Sequence, residues 1–177
     1  MRVLGIDCST QTIAFSVFED EDLLHWGELS FGKGDLFHRL NNANRMINAS
    51  LDQSQFQNID KVVYESAAYI QNKQTVILLA HAFGAAISPF VLPGVEAEGV
   101  VPMTWQSYIG NKVFTKAEKD DLRTRFPGKT DSWYKDQMRK ERKQRTMDFV
   151  KDKFGVETTN DNVADAIAIG WWGVNNA

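Results

Sequence analysis

The sequence predicts an α/β domain built on a mixed five-stranded sheet with helices on both faces. Three observations carry this reading. Short runs rich in β-branched and aromatic residues occur five times, three of them in immediate succession at the N-terminus. Two helix-patterned segments, 35–51 and 74–90, then alternate with the last two runs, which is the order of parallel crossovers. A further apolar helix closes the chain.

Residues 3–7 read as a buried strand, residues 12–18 (TIAFSVF) as a second and residues 23–31 (LLHWGELSF) as a third. The acidic tetrad Glu19-Asp20-Glu21-Asp22 places a turn between the last two, so the three form an antiparallel meander. In DLFHRLNNANRMINASL, Leu36, Phe37, Leu40, Ala43, Met46, Ile47 and Leu51 recur at helical spacing and define one apolar face. IDKVVYE (59–65) is a fourth strand. The long apolar run QTVILLAHAFGAAISPF (74–90) follows as a mostly buried helix, with Gly84 permitting close packing. GVVPM (99–103) is a short fifth strand stopped by Pro102, and residues 104–131, punctuated by Gly110, Pro127 and Gly128, read as irregular. Residues 132–153 are helical and highly charged. TTNDNVADAIAIGWWGV begins with cap-type residues and continues as an apolar helix.

At 177 residues the chain fits one domain, 1–177, large enough to bury a core without staples. The lone cysteine, Cys8, excludes an internal disulfide and a multi-cysteine zinc site, and fits a reducing compartment. No apolar run reaches the ~20 residues of a membrane span, and the N-terminus lacks a signal pattern. A cytoplasmic domain with no membrane partner is expected. The net charge of −3 conceals an asymmetry: residues 1–111 hold 6 Lys/Arg against 12 Asp/Glu, and residues 112–153 hold 14 against 8. A basic segment between acidic ones points to a polyanionic partner or to a solvated helix face, and charge alone does not choose.

The acids that end apolar elements are Asp7, Glu65 and the pair Asp161 and Asp165. Asp7 on its own permits a turn with Ser9 or Thr10, a phosphate loop or a metal ligand. Glu65 could cap a turn, and Asp161 stands well for an N-cap. Asp165, inside an apolar helix, is harder to dismiss. Asp161 and Asp165 lie four apart and so project from one helix face, while adjacent strands bring Asp7 and Glu65 to one sheet edge. Carboxylates converging without a basic partner repel strongly, and divalent cations resolve that repulsion. Two ions ~3.5–4 Å apart can activate a water and stabilise a leaving oxygen in phosphodiester hydrolysis.

GIDCS, VVYES and DNVADAIAIG resemble, in order, the three acidic motifs of RuvC-type Holliday-junction resolvases, within the ribonuclease H-like superfamily. Asn72, Gln74, Gly84, Trp105 and Gly110 also fall in family-like places. The resemblance covers nearly the whole chain, and the size and divergence fit a phage-encoded member. It implies a ribonuclease H-like fold and a homodimer that cuts four-way and other branched DNA. It further implies two Mg²⁺ ions (Mn²⁺ as substitute) held by catalytic Asp7, Glu65, Asp161 and Asp165, with a bacterial host's cytoplasm as the location. Cys8-Ser9 stands where the family often has Pro-Gly. The upstream acid of the last motif is Asp161, one position before Asn162, where relatives place it; either position faces the same side of a helix.

The basic helix then acquires a role. Lys135, Arg139, Arg142 and Arg145 make one stripe beside Lys140 and Lys143, suited to phosphates rather than bases. Lys112, Tyr69, Asn72 and Lys73 complete the expected DNA contacts, Tyr69 by stacking on a splayed base. Trp133, Tyr134, Met138, Met147, Phe149 and Val150 read as core anchors, and Trp171 and Trp172 as packing residues or a dimer surface. The three histidines lack metal-ligand spacing. Competing readings are a ribonuclease H-type enzyme acting on RNA–DNA hybrids, an actin-like phosphotransferase and a non-catalytic junction binder. The second lacks the required second phosphate loop, and the third leaves the acids unexplained.

Overall fold

The computed structural model describes residues 1–66 and 73–176. Its sheet comprises β1 (Arg2–Cys8), β2 (Thr12–Glu19), β3 (Asp22–Ser30), β4 (Lys61–Glu65) and β5 (Glu96–Val100), in the spatial order β3-β2-β1-β4-β5. The N-terminal three are antiparallel, and β1, β4 and β5 are parallel. The expected mixed sheet is therefore present. Asp20, at the β2–β3 turn, adopts positive φ, a conformation that Asp tolerates better than most residues.

The helices are α1 (Leu36–Leu51), α2 (Lys73–Ile87), α3 (Pro102–Tyr108), α4 (Lys116–Arg125), α5 (Asp131–Phe154) and α6 (Asp161–Asn175). Two cores lie on opposite faces of the sheet, because alternate strand residues point to opposite sides. Leu4, Ile6, Ile13, Val17 and Val62 pack with Ala43 and Ile47 of α1 and with Ala82 and Ala86 of α2. Val3, Ala14, Phe18 and Val63 pack with α6 and with Val150 of α5.

Several expectations change. The segment 104–131 is not irregular: Pro102 ends no strand but occupies the first turn of α3, where its missing N–H costs nothing. Thr115 opens α4 with a reciprocal capping box to Glu118. Phe37, placed on the apolar face of α1, is 78% exposed, and a Cβ on Gly84 would meet open space, so no close approach requires that glycine. Trp171 and Trp172 are buried in the α6 core and form no surface. No helix among the described residues is long and apolar enough to cross a membrane.

Candidate active site

Small residues set the depth at which α6 lies on the sheet. A Cβ on Gly5 would stand 2.5 Å from the backbone of Gly170, and one on Gly170 would stand 2.4 Å from Ser16 Oγ. The helix backbone thus rests on the strands, and Ser16 Oγ donates to the Ala166 carbonyl at 2.7 Å. Helix α6 starts at Asn160, whose side chain accepts from the N–H groups of Asn162 and Val163. Asn160 is therefore the cap, and Asp161 is released from the capping role its sequence position allowed.

Asp7 follows Ile6, which pairs with Tyr64, and Glu65 follows Tyr64. The two acids are thus register neighbours across parallel strands spaced about 4.8 Å apart. Asp7 also pairs with Ala14, and Ala14 pairs with Glu28 of β3. Cross-strand partners share a face, so Glu65, Asp7 and Glu28 form one row beneath the N-terminal end of α6, with small Ala14 leaving room between them. From above, Asn162 Nδ2 donates to Glu28 Oε2 at 2.8 Å, and Asp161 pairs with Lys143 of α5. Trp105 Nε1 of α3 donates to Glu65 Oε2 at 3.0 Å.

The electrostatics mark this row as a strained concentration of negative charge. Burial pushes the Asp7 carboxyl up to about 7, reinforced by Glu65, Asp161 and Glu28 and opposed by Lys143. Asp165 is raised well above the ordinary carboxylate range, by burial first and then by Asp7, Glu65 and Asp161. Burial also raises Glu65, against the Trp105 hydrogen bond. Neither Asp7 nor Asp165 makes a side-chain hydrogen bond among the described residues, although both are half-buried. The Ser9 hydroxyl, not Asp7, caps the β1–β2 turn, bonding to the N–H groups of Gln11 and Thr12. The turn reading of Asp7 is thereby removed. Cys8 points to the opposite face, and burial drives its thiol up to about 12, so it is an inert apolar side chain.

Unpaired, electrostatically coupled oxygen donors fit a hard divalent cation. As placed, no three His, Cys, Asp or Glu side chains among the described residues surround a common ion position. Lys143 pairs with Asp161 and Trp105 holds Glu65, so the acids are neighbours in register without converging on one point.

A cleft of about 460 Å³ joins these acids to the basic helix: Glu65 and Asp165 share its wall with Lys135, Arg139, Arg142 and Lys143. Lys119 of α4 also lines it, a cation that the irregular reading of 104–131 hid. Other expected DNA contacts lie elsewhere. Arg145 turns away to Glu118 at 3.0 Å and stacks on Phe114 at 4.4 Å, bracing α4. Lys112 and Lys140 are exposed and stand outside the cleft lining. Arg142 is partly buried, donating to Gln106 Oε1 and to the Asn111 carbonyl, and burial lowers its pKa. Met138, expected in the core, lines the cleft. Tyr69 and Asn72 lie outside the described residues, as does the side chain of Lys73.

No protein-family model matches the chain, and no curated protein matches it in sequence. Solved structures do match. Thermus thermophilus RuvC in complex with a Holliday junction substrate superposes with a TM-score of 0.67, over 97% of this chain and 91% of that one, at 16% identity. A second Thermus thermophilus RuvC structure gives a TM-score of 0.65 over 97% and 92%, also at 16% identity. Together with the strand order and the placement of α6, these similarities make the fold of this chain the ribonuclease H-like α/β fold of RuvC.

Proposed function

We propose that the protein is a divalent-metal-dependent endonuclease that resolves four-way DNA junctions and related branched DNA. The observation that carries this reading is the row Glu65–Asp7 beneath Asp161 and Asp165, opening into a cleft walled by Lys119, Lys135 and Arg139. Carboxylates alone repel a phosphodiester. A cleft pairing them with cations suits a substrate that needs both a hydrolytic centre and charge neutralisation. RuvC, which shares the fold, has been solved on a Holliday junction substrate, and that supports the choice of branched DNA.

Asp7, Glu65, Asp161 and Asp165 would hold two Mg²⁺ ions, with Mn²⁺ as an alternative. Bound there, such ions would supply an activated water and a Lewis acid for in-line hydrolysis, leaving a 5′-phosphate and a 3′-hydroxyl. The rest falls to the chain's own groups. Trp105 fixes one oxygen of Glu65 and so orients the other. Lys143 holds Asp161 and must leave it before Asp161 can ligate. Arg139 and Arg142 receive the phosphates flanking the cut.

A symmetric junction needs two cuts related by a two-fold axis, so the working unit is a homodimer. Helices α1 and α2 expose Phe37, Val76 and Ile77, apolar side chains suited to that contact. The test is a panel of four-way junction, RNA–DNA hybrid and linear duplex, each incubated with Mg²⁺ or with chelator. Metal-dependent cutting confined to branched substrates is expected. Preference for the hybrid would assign a ribonuclease H-type activity instead.

A further inference from the structure

Helix α4 and the N-terminal half of α5 form an arm that belongs to neither main core. Val150 is the α5 residue buried with the sheet, whereas Phe114, Leu122 and Tyr134 are buried apart from both clusters. The arm is nevertheless firmly built. Asn111 Nδ2 donates to the Arg142 carbonyl and to Thr146 Oγ1 at its base. Arg145 ties α5 to Glu118, and at the tip Phe126 packs on Trp133 with ring centres 5.2 Å apart. A segment that is tied together in this way yet adds little to the main cores invites the question of what it holds.

Its charges are sorted. Of its acids, Glu118, Asp121, Asp131 and Glu141 are each taken up by an arginine, Arg145, Arg125 or Arg123, and Asp120 and Asp136 have no ion-pair partner among the described residues. Lys116, Lys119, Lys135 and Arg139 have no ion-pair partner among the described residues. A second cleft, between α4 and α5, is lined by Lys116, Lys119, Arg123 and Lys135, with Asp120 and the paired Asp131 as its acids. Lys119, Lys135 and Met138 line both clefts, so the two adjoin and basic side chains continue from the carboxylates onto the arm. From Lys143 back to Lys135 α5 advances about 12 Å, roughly the axial length of three to four phosphates on one strand.

Resting on the nuclease reading above, we propose that the α4–α5 arm is a second DNA-contact surface. It grips the backbone of the duplex leading away from the cut, through Lys116, Lys119 and Lys135. The arm contributes affinity and is blind to base sequence, since the three groups it grips with are lysines, which act as point charges on phosphate. A solvated face would need no such continuity with the carboxylate cleft.

The test places Lys116→Gln, Lys119→Gln and Lys135→Gln together in an Asp7→Asn background, which holds the DNA uncut. Binding to a labelled four-way junction is followed by fluorescence anisotropy across a salt series. A control carries Lys33→Gln and Arg45→Gln, exposed cations away from the cleft. The arm variant is expected to bind about 10- to 100-fold more weakly, with the slope of log affinity against log salt reduced by about two to three. The control is expected to keep both values. Circular dichroism and the melting midpoint establish that each variant is folded. An arm variant that binds like the control overturns the proposal and leaves the nuclease reading intact. Failure of the folded Asp7→Asn protein to bind any junction removes both.

Discussion

At the scale of the residue, Asp7 is a liability to the fold, and its titration gives the sign of that liability. The carboxyl is raised from 3.8 to about 7. An acid with a higher pKa in the folded state holds its proton more tightly there, so it costs nothing below the unfolded value. The cost grows as pH rises between the two and is complete above about 7. Asp165 and Glu65 shift in the same direction. The metal-free protein is therefore expected to lose stability from pH 5.5 to pH 8, read as a falling urea midpoint. Asp7→Asn should gain roughly 1–3 kcal/mol at pH 8 and little at pH 4. An Asn variant less stable than the parent at pH 8 would contradict this reading of the site. Lys143 acts at the same place: its ammonium pairs with Asp161 and offsets the charge on Asp7 and Asp165. Lys143→Met should tighten Mn²⁺ binding several-fold by calorimetry, because the ion no longer competes with the ammonium for Asp161. Weaker Mn²⁺ binding in that variant would instead make Lys143 a supporting group for the ion.

At the scale of the element, α6 positions Asp161 and Asp165 over the sheet by lying on glycine. A Cβ at Gly170 would meet Ser16 Oγ at 2.4 Å and the Phe18 ring at 2.8 Å. Gly170→Ala is expected to lower stability by about 1–3 kcal/mol, seen in the denaturant midpoint. Because the same helix carries Asp161 and Asp165, it should also slow cleavage at temperatures where the variant remains folded. Normal stability would mean that the helix can ride higher without cost. The pattern of apolar residues made this helix, the meander and both parallel crossovers legible, and the acids stood out because each ended or interrupted an apolar run. Other features were hidden for physical reasons. Glu28 sits in LLHWGELS, where nothing local separates it from a solvated strand residue; only the Asp7–Ala14–Glu28 register reveals it. Pro102 reads equally as a strand stop and as the first residue of a helix. The run Thr-Asn-Asp-Asn offers several caps, and the choice of Asn160 over Asp161 is decided by backbone geometry. Gly110, Pro127 and Gly128 signal loops correctly, but they masked the capped helix α4 between them.

At the scale of the whole molecule, a net charge of −3 coexists with a basic arm because acids outnumber bases in residues 1–111 and 154–177, on either side of it. Association with DNA should be strongly salt-dependent despite the overall negative charge, and it should strengthen when a divalent cation neutralises the centre. A two-fold homodimer would set two such centres on one symmetric junction, and light scattering should then give twice the mass of one chain. A monomer under the conditions of cleavage would contradict the paired-cut reading.

The central claim is that the row of carboxylates is a hydrolytic centre for phosphodiesters in branched DNA. Its most direct test is single-turnover cleavage of a synthetic four-way junction with Mg²⁺, comparing the parent protein with Asp7→Asn at enzyme concentrations that saturate binding. The parent should cut, and the variant should bind the junction yet cleave on the order of 10³-fold more slowly or not at all. Undiminished cleavage by Asp7→Asn would contradict the account.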